Sequence, residues 1–405
     1  MRVYFSGISG TGIGPLAEIA HSAGFDVVGS DLQRGAISGE LEARGIQVSY
    51  GPQDGTFLRK CHEAQAIDWL VHTSALPKDH AELKLAQELG IYCSKRDEFL
   101  AKLIGDKQLK MIAVAGTHGK TTTTAMIVWT FHELGLPLSY IVGTTLPWGD
   151  SGNFNAESEY FVYEADEYDR NFLAYHPYLA AITCVDYDHP DIYPTKGSYD
   201  EAFAQFEGQS EIVVKNTTLN EKIQLVGELR RQDASIALAA LLKIMPERED
   251  EIIAALNRFP GAGRRFEKIA DGVYTDYGHH PEEIRTTLAM AKELKEKEGF
   301  AGVAAVYQPH QNTRQHEVFE LYHDAFLDAD KIFWLPTYLT RENPELAIIQ
   351  PSEFIASLDN ASAAETAEAD DALAEKLRKL HDENWLIILL TAGPADGWLR
   401  NIFNK

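Results

Sequence analysis

Residues 113–124 read Ala-Val-Ala-Gly-Thr-His-Gly-Lys-Thr-Thr-Thr-Thr, and this stretch predicts a strand, a glycine-rich turn and the start of a helix. Gly116 and Gly119 allow the backbone to turn so that its N–H groups converge on phosphate oxygens. Lys120 would neutralise phosphate charge, and the Thr121 hydroxyl would bind Mg²⁺. We therefore expect a nucleoside triphosphate to bind here, through Gly116, Thr117, His118, Gly119, Lys120, Thr121 and Thr122.

The spacing of this loop is Gly-x-x-Gly-Lys-Thr, two residues shorter than the common phosphate-binding loop, because position 114 is valine. The alternative interpretation is an ordinary glycine-rich turn between a strand and a helix that happens to carry a lysine. The apolar run before the loop and the helical pattern after it favour phosphate binding.

Composition limits the class of protein. The chain has 405 residues, enough for two or three domains, with 45% hydrophobic and 24% charged residues, which is typical of a soluble globular protein. A net charge of -24 argues against a general nucleic-acid or anionic-membrane surface. The 3 cysteines are far apart and fit a reducing compartment. With neither a signal peptide nor a long apolar run, we expect a cytoplasmic protein that binds no membrane.

Short apolar runs alternate with helical patterns along nearly the whole chain, a pattern typical of parallel α/β architecture. A polar stretch at 105–110 predicts a first domain boundary, and the segment Pro260-Gly-Ala-Gly263 predicts a second. The predicted domains are therefore 1–107, 108–260 and 261–405. We expect the acidic, alanine-rich run 361–371 to be loop and solvated helix face.

A second glycine turn lies near the N-terminus, where residues 7–12 read Gly-Ile-Ser-Gly-Thr-Gly. Asp31 follows at the end of the next predicted strand, where an acid that binds a ribose would lie. The pattern is compatible with a dinucleotide, or with a tight turn that binds no ligand. The presence of another nucleotide loop at 116–122 argues against a dehydrogenase.

Two acidic clusters each follow a predicted strand: Glu164-Ala-Asp-Glu-Tyr-Asp169 and Asp186-Tyr-Asp-His-Pro-Asp191. Carboxyl ends of parallel strands share one edge of a sheet, so both clusters are expected to face the phosphate loop. Glu164 and His189 would then complete the Mg²⁺ site begun by Thr121, although imidazole is an unusual ligand for this ion. The alternative is a pair of solvated acidic loops.

Three further motifs follow position 260: Gly263-Arg-Arg-Phe266, Asp276-Tyr-Gly-His-His-Pro281 and the segment 308–314. Adjacent arginines can hold phosphate or carboxylate groups. The histidine pair lacks a third ligand at zinc spacing, and it could instead orient an anionic substrate or move a proton.

Taken in this order, the motifs resemble those of the Mur ligases, ATP-dependent amide-forming enzymes of peptidoglycan synthesis. The combination of Thr-His-Gly-Lys-Thr-Thr, Glu-Ala-Asp-Glu and Asp-Tyr-Gly-His-His-Pro is most similar to members that add L-alanine to UDP-N-acetylmuramate. The resemblance implies ATP and Mg²⁺ as cofactors, those two compounds as substrates, and an acyl-phosphate intermediate. It also implies three α/β domains: a Rossmann-like UDP-binding domain, a shortened central P-loop ATPase-like domain with a parallel sheet, and a C-terminal Rossmann-like domain that closes over ATP and the amino acid.

The resemblance assigns roles to individual residues. Arg265 would touch phosphate and Asp276 the ATP ribose. Gly10, Thr11, Asp31 and Ser74 would lie near UDP, and Thr121, Glu164 and His189 would bind the metal. His279, His280 and Arg314 would lie near the amino acid and the reacting carboxylate. The catalytic residues implied are Lys120, His280 and Arg314.

The chain also departs from the family pattern. Arg230-Arg-Gln-Asp233 replaces the usual Gly-x-His-Asn of the adenosine site, Gln311 replaces a frequent arginine, and Gly143-Thr-Thr replaces a glycine pair. Two alternatives therefore stay open: a murein peptide ligase that adds a recycled tripeptide to the same sugar, and a catalytically reduced nucleotide-binding homologue.

Overall fold

The computed structural model describes residues 1–10, 12–35, 37–73, 76–340 and 342–403. Thr11 and Ser74, both expected near UDP, lie outside this set. The described chain divides into two compact units, one of Met1–Ile223 with Gln232–Phe259 and one of Gln224–Arg231 with Pro260–Lys405. This division does not separate the first two predicted domains, so the boundary at 107 stays a prediction.

The first sheet, built from the N-terminal segment of the first unit, has the strand order β3-β2-β1-β4-β5 with all neighbours parallel. This is the order of a Rossmann-type half, as expected. Its elements are β1 (Arg2–Ser6), α1 (Gly14–Ser22), β2 (Asp26–Asp31), α2 (Ser38–Ala43), β3 (Gln47–Tyr50), α3 (Thr56–Ala64), β4 (Trp69–His72), α4 (Ala81–Glu88), β5 (Tyr92–Lys95) and α5 (Arg96–Asp106).

The second sheet has the order β11-β10-β6-β9-β7-β8, in which β7 and β8 are antiparallel and the other neighbours parallel. Short 3₁₀ segments lie at Tyr168–Ala174 and Pro246–Arg248. The other elements are β6 (Lys110–Ala115), α6 (Lys120–Glu133), β7 (Ser139–Ile141), β8 (Gly152–Asn153), β9 (Tyr160–Glu164), β10 (Leu179–Ile182), α7 (Lys196–Gly208), β11 (Ile212–Val214), α8 (Glu228–Leu241) and α9 (Glu249–Asn257).

The third sheet belongs to the second unit and has the order β12-β13-β17-β14-β15-β16. Strands β12 and β13 are antiparallel and the other neighbours are parallel. The elements are β12 (Glu267–Ala270), β13 (Val273–Asp276), α10 (Pro281–Glu298), β14 (Val303–Gln308), α11 (Asn312–Val318), β15 (Lys331–Trp334), α12 (Pro351–Ser357), β16 (Ala364–Thr366), α13 (Asp371–Asp382), β17 (Leu386–Thr391) and α14 (Ala395–Phe403), with 3₁₀ segments at Phe319–Tyr322 and Ala361–Ala363.

The run 361–371 corrects one expectation. It contains a 3₁₀ segment and the edge strand β16 before α13 begins at Asp371, rather than loop and helix face alone. Three residues are too few to show the alternation that identifies a strand in a sequence.

Strand β6 sets the position of the candidate site. Its residues Met111–Ala115 are all buried, as expected for a central strand of a parallel sheet whose two faces are covered by helices. β6 pairs with β9 on one side and β10 on the other. The loops that follow these three strands therefore leave the same edge of the sheet.

The described helices include none that is long and apolar enough to cross a membrane.

Candidate active site

The loop between β6 and α6 has the backbone geometry expected of a phosphate-binding turn. Gly116 and Gly119 have φ angles of 135° and 81°, in the region that disfavours residues with a Cβ atom. A Cβ on Gly116 would lie 2.1 Å from Thr183 Oγ1, and one on Gly119 would lie 2.2 Å from Asp233 Oδ1. Glycine is therefore needed at both positions, and the amino end of the 14-residue helix α6 begins directly after them.

Neighbouring segments hold this loop in place. The Thr117 amide donates to the Cys184 carbonyl at 2.9 Å, and the Thr117 hydroxyl donates to the Asp186 carbonyl at 2.7 Å. The His118 amide lies 3.3 Å from Cys184 Sγ. Thr122 lies in the first turn of α6. The loop conformation thus depends on the segment that follows β10.

The side chains of Lys120 and Thr121 contact the acidic cluster that follows β9. Lys120 Nζ lies 2.8 Å from Glu167 Oε2 and also donates to the Gly116 carbonyl at 2.7 Å. The Thr121 hydroxyl donates to Glu164 Oε1 at 2.9 Å. The structure therefore brings the phosphate loop and the first acidic cluster together, as the shared sheet edge predicted.

The Glu164 carboxylate has properties that suit a metal ligand. Its Oε2 atom is buried and has no hydrogen-bond partner of normal geometry among the described residues, although it lies close to Gly143. Burial raises the pKa of this carboxyl group, and the hydrogen bond from Thr121 opposes the rise. A hydroxyl and a buried carboxylate oxygen are hard ligands that suit Mg²⁺. These residues therefore fit a magnesium site.

His189, expected to share the metal with Glu164, lies beside the carboxylates of Glu167 and Asp188. Its Nε2 atom is 3.5 Å from Glu167 Oε1 and 3.7 Å from Asp188 Oδ2. Among the described residues no group of three His, Cys, Asp or Glu side chains is arranged to hold a metal ion. An ion here would thus need phosphate oxygens and water to complete its coordination.

Glu167 is the residue that the sequence analysis missed. It was quoted within the acidic cluster without a role, yet its side chain is only 1% exposed and links Lys120 to His189. The signal available was its position three residues after Glu164. Nothing in the sequence indicated which carboxylate of the cluster would face the lysine.

The N-terminal glycine turn uses Asp31 internally. The Ser9 amide donates to Asp31 Oδ2 at 2.8 Å, and the Gly10 amide donates to the Gly7 carbonyl at 3.0 Å. The carboxylate therefore ties the end of β2 to the turn. A contact of Asp31 or Gly10 with a ribose or diphosphate stays a prediction.

In the second unit, Asp276 is buried at the end of β13. Its two oxygens accept hydrogen bonds from the amides of Phe266 and Gly278, both at 2.7 Å. Burial raises its pKa, and these two amides oppose the rise. The carboxylate thus holds the turn that carries Arg265, which is exposed and lies over the Tyr277 ring. The expected contacts of Asp276 with ribose and of Arg265 with phosphate stay predictions.

The histidine pair divides into two structural roles. His280 is the N-cap of α10, and its Nδ1 accepts from the Glu282 amide at 3.3 Å. His279 Nε2 contacts Arg314 Nη1 instead. Burial is the main cause of a lowered pKa for His279, which favours its neutral form.

Glu283 fixes the backbone of this pair. It accepts from the amides of both His279 and His280. Burial alone would raise the pKa of Glu283, but the two amides together with the charges of His279 and Arg265 outweigh it, and the net pKa is lowered. The structure therefore brings His279 and Arg314 into contact and gives the His280 side chain a helix-capping bond.

Comparison with known proteins relates this geometry to a family. Residues 2–108 match the Mur ligase family catalytic domain, and residues 114–241 match the Mur ligase middle domain. A UDP-N-acetylmuramate–L-alanine ligase of Campylobacter jejuni (strain RM1221) is 31% identical over 389 residues, which cover 85% of this chain and 87% of that protein. The enzyme of the same name from Syntrophomonas wolfei is 32% identical and covers 81% and 80%.

Solved structures show the same fold. A UDP-N-acetylmuramate–alanine ligase from Thermotoga maritima superposes with a TM-score of 0.76 at 22% identity, covering 100% of this chain and 98% of that one. A murein peptide ligase from Psychrobacter arcticus gives a TM-score of 0.56 at 21% identity, with the same coverage. At these identities the likeness concerns the fold alone.

Proposed function

The chain belongs to the Mur ligase family, and we propose that it joins L-alanine to the carboxylate of UDP-N-acetylmuramate in an ATP-dependent reaction of peptidoglycan synthesis. The names of relatives about a third identical over most of both chains support this activity. The observation that carries the proposal is the meeting of Lys120 and Thr121 with Glu164 and Glu167 at one edge of the second sheet.

A carboxylate is a poor electrophile, so the first step would transfer a phosphoryl group to it. A carboxylate oxygen of the sugar attacks the γ-phosphorus of ATP, and the bond between that phosphorus and the oxygen that bridges it to the β-phosphate breaks. ADP departs, and the sugar carboxylate has become an acyl phosphate. Lys120 and the amides of the loop would hold the triphosphate in line for this transfer, because catalysis of phosphoryl transfer is mostly positioning and charge neutralisation.

The metal site would consist of Thr121 and Glu164, with His189 nearby. Bound Mg²⁺ would neutralise the charge that develops on the phosphate oxygens. Glu167 and the Gly116 carbonyl would together position the Lys120 ammonium group.

The second step forms the amide. The alanine nitrogen attacks the carbonyl carbon, the C–N bond forms, the bond to the phosphate oxygen breaks, and the nitrogen loses a proton. Of the histidine pair, His280 is better suited to accept that proton, because both ring nitrogens of His279 already have partners, Nδ1 the Tyr277 carbonyl and Nε2 the Arg314 guanidinium. His280 uses its Nδ1 as a helix cap. Arg314 would hold a carboxylate beside His279.

Phosphate release in the presence of ATP, Mg²⁺ and UDP-N-acetylmuramate tests the proposal. We expect release that depends on L-alanine and gives one amide per phosphate. Release with the tripeptide but not with L-alanine would identify a murein peptide ligase, and no release with either would identify a reduced nucleotide-binding homologue. The cytoplasmic location expected from the sequence stays a prediction.

A further inference from the structure

A cavity of about 180 Å³ in the first unit lies between the N-terminal glycine turn and the carboxyl edge of the second sheet. One wall comes from the N-terminal glycine turn and the helices α1 and α5, and the other comes from the ends of β7 and β9 and the residues that follow them. Glu164, the partner of Thr121, belongs to the second wall. The lining residues from the two walls are Gly12, Leu16, Arg96 and Leu100 on one side, and Ile141, Val142, Gly143, Tyr163, Glu164 and Asp166 on the other.

Arg96 carries the one positive charge among the described residues that line this cavity. It is the first residue of α5, its side chain is 31% exposed, and its Nε lies 3.5 Å from Asp97 Oδ1. Two carboxylates, Glu164 and Asp166, lie on the opposite wall. A guanidinium in such a place can bind a carboxylate through two parallel hydrogen bonds and stays charged at every relevant pH.

Asp97, the residue after Arg96, connects the start of α5 to the second sheet. The buried Asp97 Oδ1 accepts hydrogen bonds from the hydroxyl groups of Tyr175 at 2.7 Å and Tyr163 at 3.2 Å. Both tyrosines belong to the second sheet and its connections, whereas Asp97 belongs to the helix that follows the first sheet. The start of α5 is thereby fixed against the second sheet, and the position of Arg96 in the cavity is set before any ligand binds.

Gly12 makes room for the guanidinium. A Cβ atom at this position would lie 2.8 Å from Arg96 Nη1, which is closer than real Cβ atoms approach. Glycine at the end of the N-terminal turn therefore lets the Arg96 guanidinium approach that turn closely. Arg96 lies beside the turn on one side and shares a cavity with a phosphate-loop partner on the other.

We propose that Arg96 binds the carboxylate of the UDP-linked sugar acid and so selects an acidic sugar over a neutral one. This inference rests on the proposed function. The turn that would hold the diphosphate contributes Gly12 to the lining of this cavity, and Glu164, which accepts a hydrogen bond from Thr121, lies on the opposite wall. An acid group between them would be oriented toward the phosphoryl donor, and Arg96 would offset the repulsion from Glu164 and Asp166.

Binding of two UDP-sugars tests the assignment. UDP-N-acetylglucosamine has the same diphosphate as UDP-N-acetylmuramate but no carboxylate. We expect Arg96→Gln to weaken calorimetric binding of the acidic sugar by about 10- to 100-fold, the range for charge-assisted hydrogen bonds, and to change binding of the neutral sugar by less than about twofold. Arg96→Lys should restore part of the loss because it keeps the charge.

Arg59→Gln is the matched control, since Arg59 is a 50% exposed arginine of the same unit whose carboxylate partner lies at 4.0 Å. It should bind both sugars as the wild type does. Thermal unfolding of each variant shows whether the fold is kept, and Arg96→Lys reports on the site if Arg96→Gln does not fold.

Equal weakening of both sugars would mean that Arg96 binds the diphosphate, and unchanged binding of the acidic sugar would mean that it binds neither group. Either result overturns the inference while the proposed function stands. If the wild type itself neither binds nor converts UDP-N-acetylmuramate, the proposed function fails, and the assignment of Arg96 fails with it.

Discussion

The pair formed by Lys120 and Glu167 allows a quantitative prediction for Glu167→Gln. The two side chains are 14% and 1% exposed, and their charged atoms are 2.8 Å apart. At an effective dielectric constant of about 20 their attraction is about 6 kcal/mol, and desolvation of the two ions offsets several kcal/mol of it. Glutamine keeps a hydrogen bond to Lys120 but removes the negative charge.

Loss of one partner of a buried pair typically destabilises a protein by about 3–5 kcal/mol. Lys120 retains the carbonyl groups of Gly116 and Thr117, so we expect the lower part of that range or slightly less, about 2–3 kcal/mol. Glu159→Gln is the matched control, because its pair with Lys110 has nearly the same length, 2.7 Å, but side chains 44% and 58% exposed. This control should cost at most about 1 kcal/mol.

Native-state hydrogen exchange is the appropriate assay, because it reports the opening of one unit in a chain that contains two. Amides of β10, residues Leu179–Ile182, should exchange at least about 30-fold faster in Glu167→Gln than in wild type, as expected for about 2 kcal/mol. The same amides should change little in Glu159→Gln. Equal acceleration in both variants would refute the argument that burial makes the Glu167 pair different.

Three further outcomes are expected. Gly119→Ala should weaken ATP binding by about tenfold or more, because its φ of 81° disfavours a Cβ atom and that atom would also meet Asp233. Gly135→Ala is the control and should leave ATP binding unchanged, because a Cβ at this position, with φ 64°, would meet open space. Calorimetry with ATP compares the two variants, and equal affinities would contradict the argument. Burial raises the pKa of Glu164 in the folded state, so in Mg²⁺-free buffer the wild type should lose stability relative to Glu164→Gln as pH rises through that pKa. If the free energies of urea unfolding of the two proteins follow parallel curves from about pH 4 to about pH 8, this expectation is wrong. Burial lowers the pKa of His279, so the stability due to its neutral form is present above about pH 6.5 and is lost as pH falls through the folded-state pKa. His279→Gln should remove this loss of stability at acidic pH. If the free energy of urea unfolding of the variant falls with pH as that of the wild type does, the argument is wrong.

Local patterns in the sequence determined the phosphate loop and the architecture. Glycines at 116 and 119, followed by Lys120, predicted a turn and a helix start that the backbone angles bear out. Alternation of apolar runs with helical patterns predicted the parallel sheets. Because parallel strands of one sheet end at the same edge, the sequence also predicted that the loop and Glu164 would meet, and the hydrogen bond from Thr121 to Glu164 shows that they do. The loop and the strand and helix patterns depend on neighbours within a few residues, so a single sequence contains them, and the meeting with Glu164 then follows from the parallel arrangement of the strands.

Only the tertiary structure decided which polar groups form ion pairs or hydrogen bonds with each other. Glu167 pairs with Lys120 across 47 positions of sequence, and Asp276 accepts hydrogen bonds from the Gly278 amide of its own turn and from the Phe266 amide 10 positions earlier. Arg96 had no motif to mark it, because its place in the cavity depends on Asp97, on Tyr175 and on the missing side chain at Gly12. The choice among several nearby carboxylates or cations is set by which side chains are buried together. Such burial arises only when segments distant in the sequence pack against one another.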